Sequence, residues 1–236
     1  MVDKRIAVIT GASRGIGSFV ARGLAADGYH CCLVARNSGL LNEEAAQITA
    51  AGGTATCYPT DLAQISNIST VCEQLGHEFG RCDLLLNNAG IWTPGLFEAS
   101  FDIWSNLLAT NLTAPLYLMK LLHPLLQIGE RSCVFNLCSI GAREGSSRTG
   151  AYGSTKRALL SLSESAFKIF AKDGIRVVAL CPSWTATDMA EEAGSPYDSS
   201  DMIQPSDILE TIRWITKLSP SAAVREVFID CYKDVR

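Results

Sequence analysis

The sequence has no surplus of positive charge. Twenty Lys and Arg stand against 24 Asp and Glu, a net charge of −4. A nucleic-acid surface needs a basic patch, and none is present. A long uninterrupted apolar run is also missing. The most apolar long stretch, 107–128, contains Asn111, Pro115, Lys120, His123 and Pro124. That pattern describes a buried or amphipathic helix and excludes a membrane span. Histidine is scarce: there are three, none at ligand spacing from a cysteine. No metal site is expected. Repeats, low-complexity tracts and Pro/Gly-rich linkers are absent, so one domain over 1–236 is expected.

Cysteine is plentiful, but its spacing shows no pairing. None of the nine forms a C-x-x-C pair, and several sit inside strand-like runs such as "HCCLVAR", "SCVFNLCS" and "VVALCP". Free cysteine behaves as a small buried hydrophobe. The opening "MVDKRIAVITGASRG" runs straight into a strand pattern without a signal peptide. A reduced, cytoplasmic protein is expected.

What the chain does contain is core. Hydrophobic residues make up 47% and charged residues 19%, which suits a compact fold and argues against disorder. Short β-branched or apolar runs at 5–10, 30–36, 55–60, 83–88, 132–138, 175–181 and 226–230 predict strands. Helical patterns lie between them near 15–27, 40–51, 62–79, 101–128, 151–173 and 205–218. This alternation predicts an α/β fold: a doubly wound, seven-stranded parallel sheet with helices on both faces. Near-continuous apolar runs such as "RVVALC" fit strands buried on both sides. Ligands bind such folds beyond the carboxyl ends of the strands.

The first of those ends carries "TGASRGIG", residues 10–17. Gly11, Gly15 and Gly17 permit a tight turn and let backbone N–H groups approach a pyrophosphate. Taken alone, such a turn also describes an ordinary loop. The second strand ends "LVARNS", with Ala35 where an acid would accept a ribose 2′-hydroxyl, followed by Arg36. Arg36 and Arg14 suit a 2′-phosphate dianion, which favours NADP(H) over NAD(H). Both also fit solvated surface arginines.

In "AYGSTK", Tyr152 and Lys156 are four apart and share a helix face. An ammonium beside a phenol lowers its pKa, making tyrosine a usable acid or base. The same pair fits an ordinary helix with an exposed lysine. Ser139 ends the strand "CVFNLCS", where its hydroxyl could bond a substrate carbonyl or merely cap the strand. Asn111 sits mid-helix, where asparagine is a poor helix former. It could bend the helix, hold a water or be a polar patch. "NNAG", 87–90, ends a strand with small polar residues.

Together these pieces resemble the short-chain dehydrogenase/reductase family of Rossmann folds. The matching segments are "TGASRGIG", "DL" at 61–62, "NNAG", Asn111, Ser139, "YGSTK" and "CPSWTATDM" at 181–189, in the family's order. The resemblance implies that Gly11, Ser13, Arg14, Gly15, Ile16 and Gly17 hold the adenosine and pyrophosphate. It implies that Arg36 takes the 2′-phosphate, and that Asp61 and Leu62 flank the adenine. Asn88, Ala89 and Gly90 would lie along the ribose; Pro182, Thr185 and Thr187 would face the nicotinamide carboxamide. Tyr152 would be the proton donor, Lys156 would bind the nicotinamide ribose, Ser139 would polarise the carbonyl and Asn111 would support a proton-relay water. The implied activity is NADPH-dependent reduction of a ketone or aldehyde. The narrower implication is 3-oxoacyl-acyl-carrier-protein reductase, and the contrasting one is a non-catalytic cofactor-binding relative. The implied partners are a small carbonyl or alcohol substrate and a second copy of the chain, as a homodimer or homotetramer through 101–128 and 151–173.

Two departures stand out. Ser183, in "PSW", replaces the family's usual glycine, which predicts altered loop geometry. The segment between Thr187 and Pro205 is short and polar, which predicts an open substrate pocket.

Overall fold

The computed structural model describes residues 4–145 and 148–235. The chain runs β1 (Ile6–Thr10), α1 (Gly15–Ala26), β2 (His30–Ala35), α2 (Ser38–Ala50), β3 (Thr54–Pro59), α3 (Ile65–Phe79) and β4 (Leu84–Asn87). It continues through α4 (Phe101–Leu108), α5 (Ala114–Ile128), β5 (Cys133–Leu137), α6 (Gly150–Phe170), β6 (Arg176–Pro182), α7 (Asp188–Glu192), α8 (Pro205–Lys217) and β7 (Glu226–Ile229). The sheet has seven strands in the order β3-β2-β1-β4-β5-β6-β7. Every pairing is parallel.

Strand alternation sorts the core into two layers. Ala7 and Ile9 of β1 face Val20, Leu24, Leu41, Ile208 and Ile212 of α1, α2 and α8. Ile6 and Val8 face Ile68, Leu118, Leu122, Ala166 and Phe170 of α3, α5 and α6. Burial on both faces explains why these strands lack a polar alternate. Phe135 of β5 is fully buried; its truncation to alanine would cost about 3–5 kcal/mol. All nine cysteines are free, and eight are buried.

Sheet order sets the position of the site. β1 leads outward to β2 and β3, and the chain then returns to place β4 against β1's other edge. The reversal leaves a crevice beyond the carboxyl ends of β1 and β4, the usual ligand position in such sheets.

Two expected elements differ in the structure. The single helix expected over 101–128 is interrupted by a π-turn at Ala109–Thr113, so Asn111 sits in a widened turn. The polar segment after Thr187 is structured: it carries α7, a 3₁₀ turn at Ser199–Asp201 and a bridge from Ile203 to Thr185. Part of the loop expected to shape the substrate pocket, Ser146 and Ser147, lies outside the described residues.

Candidate active site

Thr10 ends β1, and its buried hydroxyl organises the crevice. It accepts the backbone N–H groups of Asn88 and Ala89, each at 3.0 Å, and donates to the Leu86 carbonyl at 3.2 Å. The Asn88 amide donates to the carbonyls of Thr10 at 2.8 Å and Gly11 at 3.1 Å. The "TGASRGIG" turn is thereby tied to "NNAG". The contact leaves no room for a side chain at Gly11 or Gly17. Gly11 has φ +64°, and a Cβ there would lie 2.7 Å from Asn88 Nδ2. A Cβ on Gly17 would overlap the Gly11 carbonyl oxygen. Arg14 starts α1 without a side-chain cap, so the first amide groups of α1 face the crevice unpaired and suit an anion.

A cleft of about 460 Å³ opens over this turn. Gly11, Ser13, Arg14, Gly15 and Ile16 form its floor; Arg36, Asp61 and Leu62 line it at the ends of β2 and β3. Asn88, Ala89 and Gly90 follow from β4, and Tyr152, Lys156 and Thr187 line it as well. Gly17 is buried behind the turn. Arg36 is exposed, and its side chain makes no hydrogen bond or ion pair with a described residue. Arg14 reaches across the cleft to α7, where its guanidinium lies 3.2 Å from Asp188 and 3.5 Å from Glu192. These partners are solvent-exposed, so the pairing is worth at most about 1 kcal/mol.

A second cavity of about 670 Å³ adjoins the first. Ser139, Pro182 and Thr185 stand on this side, whereas Ile16, Leu137, Tyr152, Thr187 and Met189 border both. Tyr152 is therefore at the junction. Burial pushes its phenol up to about 12, and the neighbouring Ser139 hydroxyl acts in the opposite direction. Ser139 Oγ also accepts the Gly141 N–H at 3.1 Å.

The expected depression of the Tyr152 pKa by Lys156 is not found. The Lys156 ammonium lies 5.6 Å from the Tyr152 ring centroid and donates to the Leu137 carbonyl at 2.7 Å. Burial dominates the phenol and also lowers the ammonium. The four-residue spacing does bring the two together, with Lys156 buried rather than exposed and Tyr152 half-buried at the cavity junction.

Asn111 is fully buried. Its amide donates to the Ile91 carbonyl at 2.8 Å and to Thr155 Oγ1 at 3.0 Å, while its Oδ1 accepts the Ile91 N–H at 2.9 Å. The π-turn directs it inward behind the cleft, so it is not a surface polar patch. Thr10 and Thr155 were not among the residues expected to matter. Their positions inside "TGASRGIG" and "YGSTK" were the available signal. Ser183 needs no glycine-like backbone: among the described residues Arg131 is the only non-glycine at positive φ.

The model of the short chain dehydrogenase family matches residues 5–198. The chain belongs to that family and is an oxidoreductase of its type. An uncharacterized oxidoreductase of Staphylococcus epidermidis is 27% identical over 229 residues, covering 97% of each chain. A betaketoacyl-[ACP] reductase from Bacteroides thetaiotaomicron shares 33% identity and a TM-score of 0.86 over 99% of each chain. A metagenomic short-chain oxidoreductase, solved in complex with NADP, shares 30% identity and a TM-score of 0.83 over 96% of each chain. Among the described residues no helix is long and apolar enough to cross a membrane.

Proposed function

We propose that the protein reduces a ketone or aldehyde with NADPH, using Tyr152 as proton donor. The observation that carries this reading is the meeting of two cavities at Tyr152, with Ser139 on one side and Lys156 on the other. The cleft fits a dinucleotide: a turn with glycines at its tightest points, a helix start without a side-chain cap, and Arg36 free for a 2′-phosphate. NADP in the similar metagenomic structure supports the same choice.

When bound, NADPH supplies the hydride. The positions of the protein residues support the following roles. The turn from Gly11 to Gly17, with Ser13, Arg14 and Ile16, holds the pyrophosphate side. Asp61 and Leu62 flank the adenine, and Asn88, Ala89 and Gly90 line the ribose. Lys156 reaches the inner ribose from its buried seat, and Thr187, with Pro182 and Thr185, borders the nicotinamide side. Ser139 holds the substrate oxygen, and Tyr152 gives it a proton as the carbonyl carbon accepts hydride. Asn111, locked to Ile91 and Thr155, keeps the wall behind Lys156 in place.

The similarity to the Bacteroides betaketoacyl-[ACP] reductase favours a second reading, reduction of a carrier-bound 3-oxoacyl thioester. Self-association is supported by the exposed apolar side chains Phe101, Ile103, Leu108 and Leu116 on α4 and α5 and Ile169 on α6. Light scattering reads the assembly directly; a monomer would remove it.

The deciding experiment is titration with NADPH and NADH, followed by carbonyl reduction assays that monitor NADPH loss. Tight NADPH binding with turnover is expected. NADPH binding without turnover on any carbonyl would favour a non-catalytic relative. Failure to bind either nucleotide would overturn the reading.

A further inference from the structure

The pocket beside Tyr152 is closed by the last residues of the chain. Asp230 and Asp234, just beyond β7, line it, and Glu144 lines it from the loop after β5. Trp92 and Trp184 supply flat apolar wall. One guanidinium, that of Arg143, also lines it and lies 5.1 Å over the Phe228 ring. Among the described residues the lining thus holds three carboxylates and one cation, with the Arg148 guanidinium 6.0 Å from the Trp184 ring beside it.

The acidic wall is anchored. Ser183 Oγ donates to one oxygen of Asp234, and Tyr197 Oη donates to the other at 2.7 Å. Both donors are neutral hydroxyls. The hydrogen bond to Asp234 holds the Tyr197 phenol above its ordinary pKa. The segment is also pinned by buried Cys231, whose thiol bonds the Asp201 carbonyl at 3.3 Å, and by the Lys233–Asp201 ion pair. A tight turn from the Asp234 N–H to the Cys231 carbonyl, at 2.8 Å, completes it. Ser183, the residue standing where the family resemblance expects glycine, therefore has a function: its hydroxyl holds the wall in place. Glu144 and Asp230 are exposed and form no ion pair with any described residue.

We propose that this anchored carboxylate wall selects the substrate by charge: the pocket takes an uncharged, ring-bearing ketone or aldehyde and rejects anionic carbonyl compounds. Carboxylates and phosphate-bearing thioesters fall in the rejected class. The physical basis is like-charge repulsion from the carboxylates that line the cavity, which suppresses wrong partners more strongly than it aids the right one. Two tryptophan rings offer stacking surface to a flat substrate body. This inference rests on the reductase reading above.

The test uses para-substituted acetophenones that differ only in charge: a carboxamide and a carboxylate. With NADPH saturating, kcat/KM is expected to favour the carboxamide by at least about tenfold. In the D230N/D234N double variant the ratio is expected to shrink severalfold, through a lower KM for the carboxylate. Asparagine Oδ1 can still accept from one of the two hydroxyls, and its NH2 can donate to the oxygen of the other, so the segment stays seated. Added salt should shrink the wild-type ratio in the same direction. Equal rates for the two substrates, or a ratio the double variant does not move, would overturn the proposal. Should neither substrate be reduced, quenching of tryptophan fluorescence by benzamide and benzoate reads the pocket directly. Preference for benzamide, lost in D230N/D234N, would support the wall while the reductase reading fails. Equal binding would overturn the wall.

Discussion

The side chain of Asn111 is bonded to both backbone groups of Ile91, accepting its N–H at 2.9 Å and donating to its carbonyl at 2.8 Å. An asparagine in the π-turn between α4 and α5 thus imitates a strand partner for the chain leaving β4. Asn111→Ala strands two backbone groups at once and removes the bond to Thr155. A loss of about 2–3 kcal/mol in stability is expected. Urea unfolding measures it. Turnover should fall in parallel because the wall behind Lys156 loosens; Asn111→Ala with unchanged kcat would show that Asn111 is structural only.

Tyr152→Phe keeps the ring and removes the proton. Turnover should drop by about 10²–10⁴-fold, while NADPH affinity stays largely intact. Equal loss of both, by rate assay and fluorescence titration, would contradict the role assigned to the phenol.

The pH dependence follows from the direction of the Tyr152 shift. Burial pushes the phenol up to about 12, so it stays protonated through neutral and mildly alkaline conditions. Carbonyl reduction therefore loses nothing from this group up to about pH 9. Alcohol oxidation needs the phenolate and should climb over the same range. Rate profiles in both directions decide the matter, and a reduction rate that falls near neutrality would contradict the shift.

Arg36→Ala should weaken NADPH by roughly 10–100-fold and leave NADH nearly unchanged, because a charge-assisted contact to the 2′-phosphate is removed. Parallel titrations with the two nucleotides test it. An unaltered preference would move the phosphate contact to Arg14, at the expense of its pairing with Asp188 and Glu192.

Buried thiols make the fold sensitive to alkali. Burial pushes both Cys31 and Cys72 up to about 12, whereas an unfolded thiol ionises near ~8.5. Above that value the unfolded chain has lost protons that the native chain keeps, so stability falls as pH rises, by about 1.4 kcal/mol per unit for each thiol. Their contribution is fully present below the unfolded value and is lost progressively up to the folded one. Urea midpoints measured across mildly alkaline pH under reducing conditions should decline, and less steeply in Cys72→Ala.

Much of the fold was legible because its signals are local. The run "IAVIT" has no polar alternate, and it became a strand buried on both faces. "TGASRGIG" asked for a turn with glycines at its tightest points, and the overlap at Gly17 shows why. The Asn111 turn was half legible. A polar residue in an apolar helix marked something unusual, but its partner lies 20 residues away. The Tyr152–Lys156 pair was legible as neighbours and misleading as electrostatics, because spacing on a helix does not show how deeply the face is buried. Ser183 looked like a defect in a glycine position. Its partner, Asp234, is 51 residues further along the chain.

The sequence alone determined the alternation of strand and helix, the glycine turn and the placement of Tyr152, Lys156 and Ser139 at the ends of elements. Those features depend on periodicity and on steric limits within a few residues. Tertiary structure decided the rest: that Lys156 bonds the Leu137 carbonyl, that Thr10 holds "NNAG", and that the chain's last residues wall the second cavity. Each of these joins segments that only sheet order brings together. A hydrogen bond between distant residues is set by which strands are neighbours, and no local pattern carries that information.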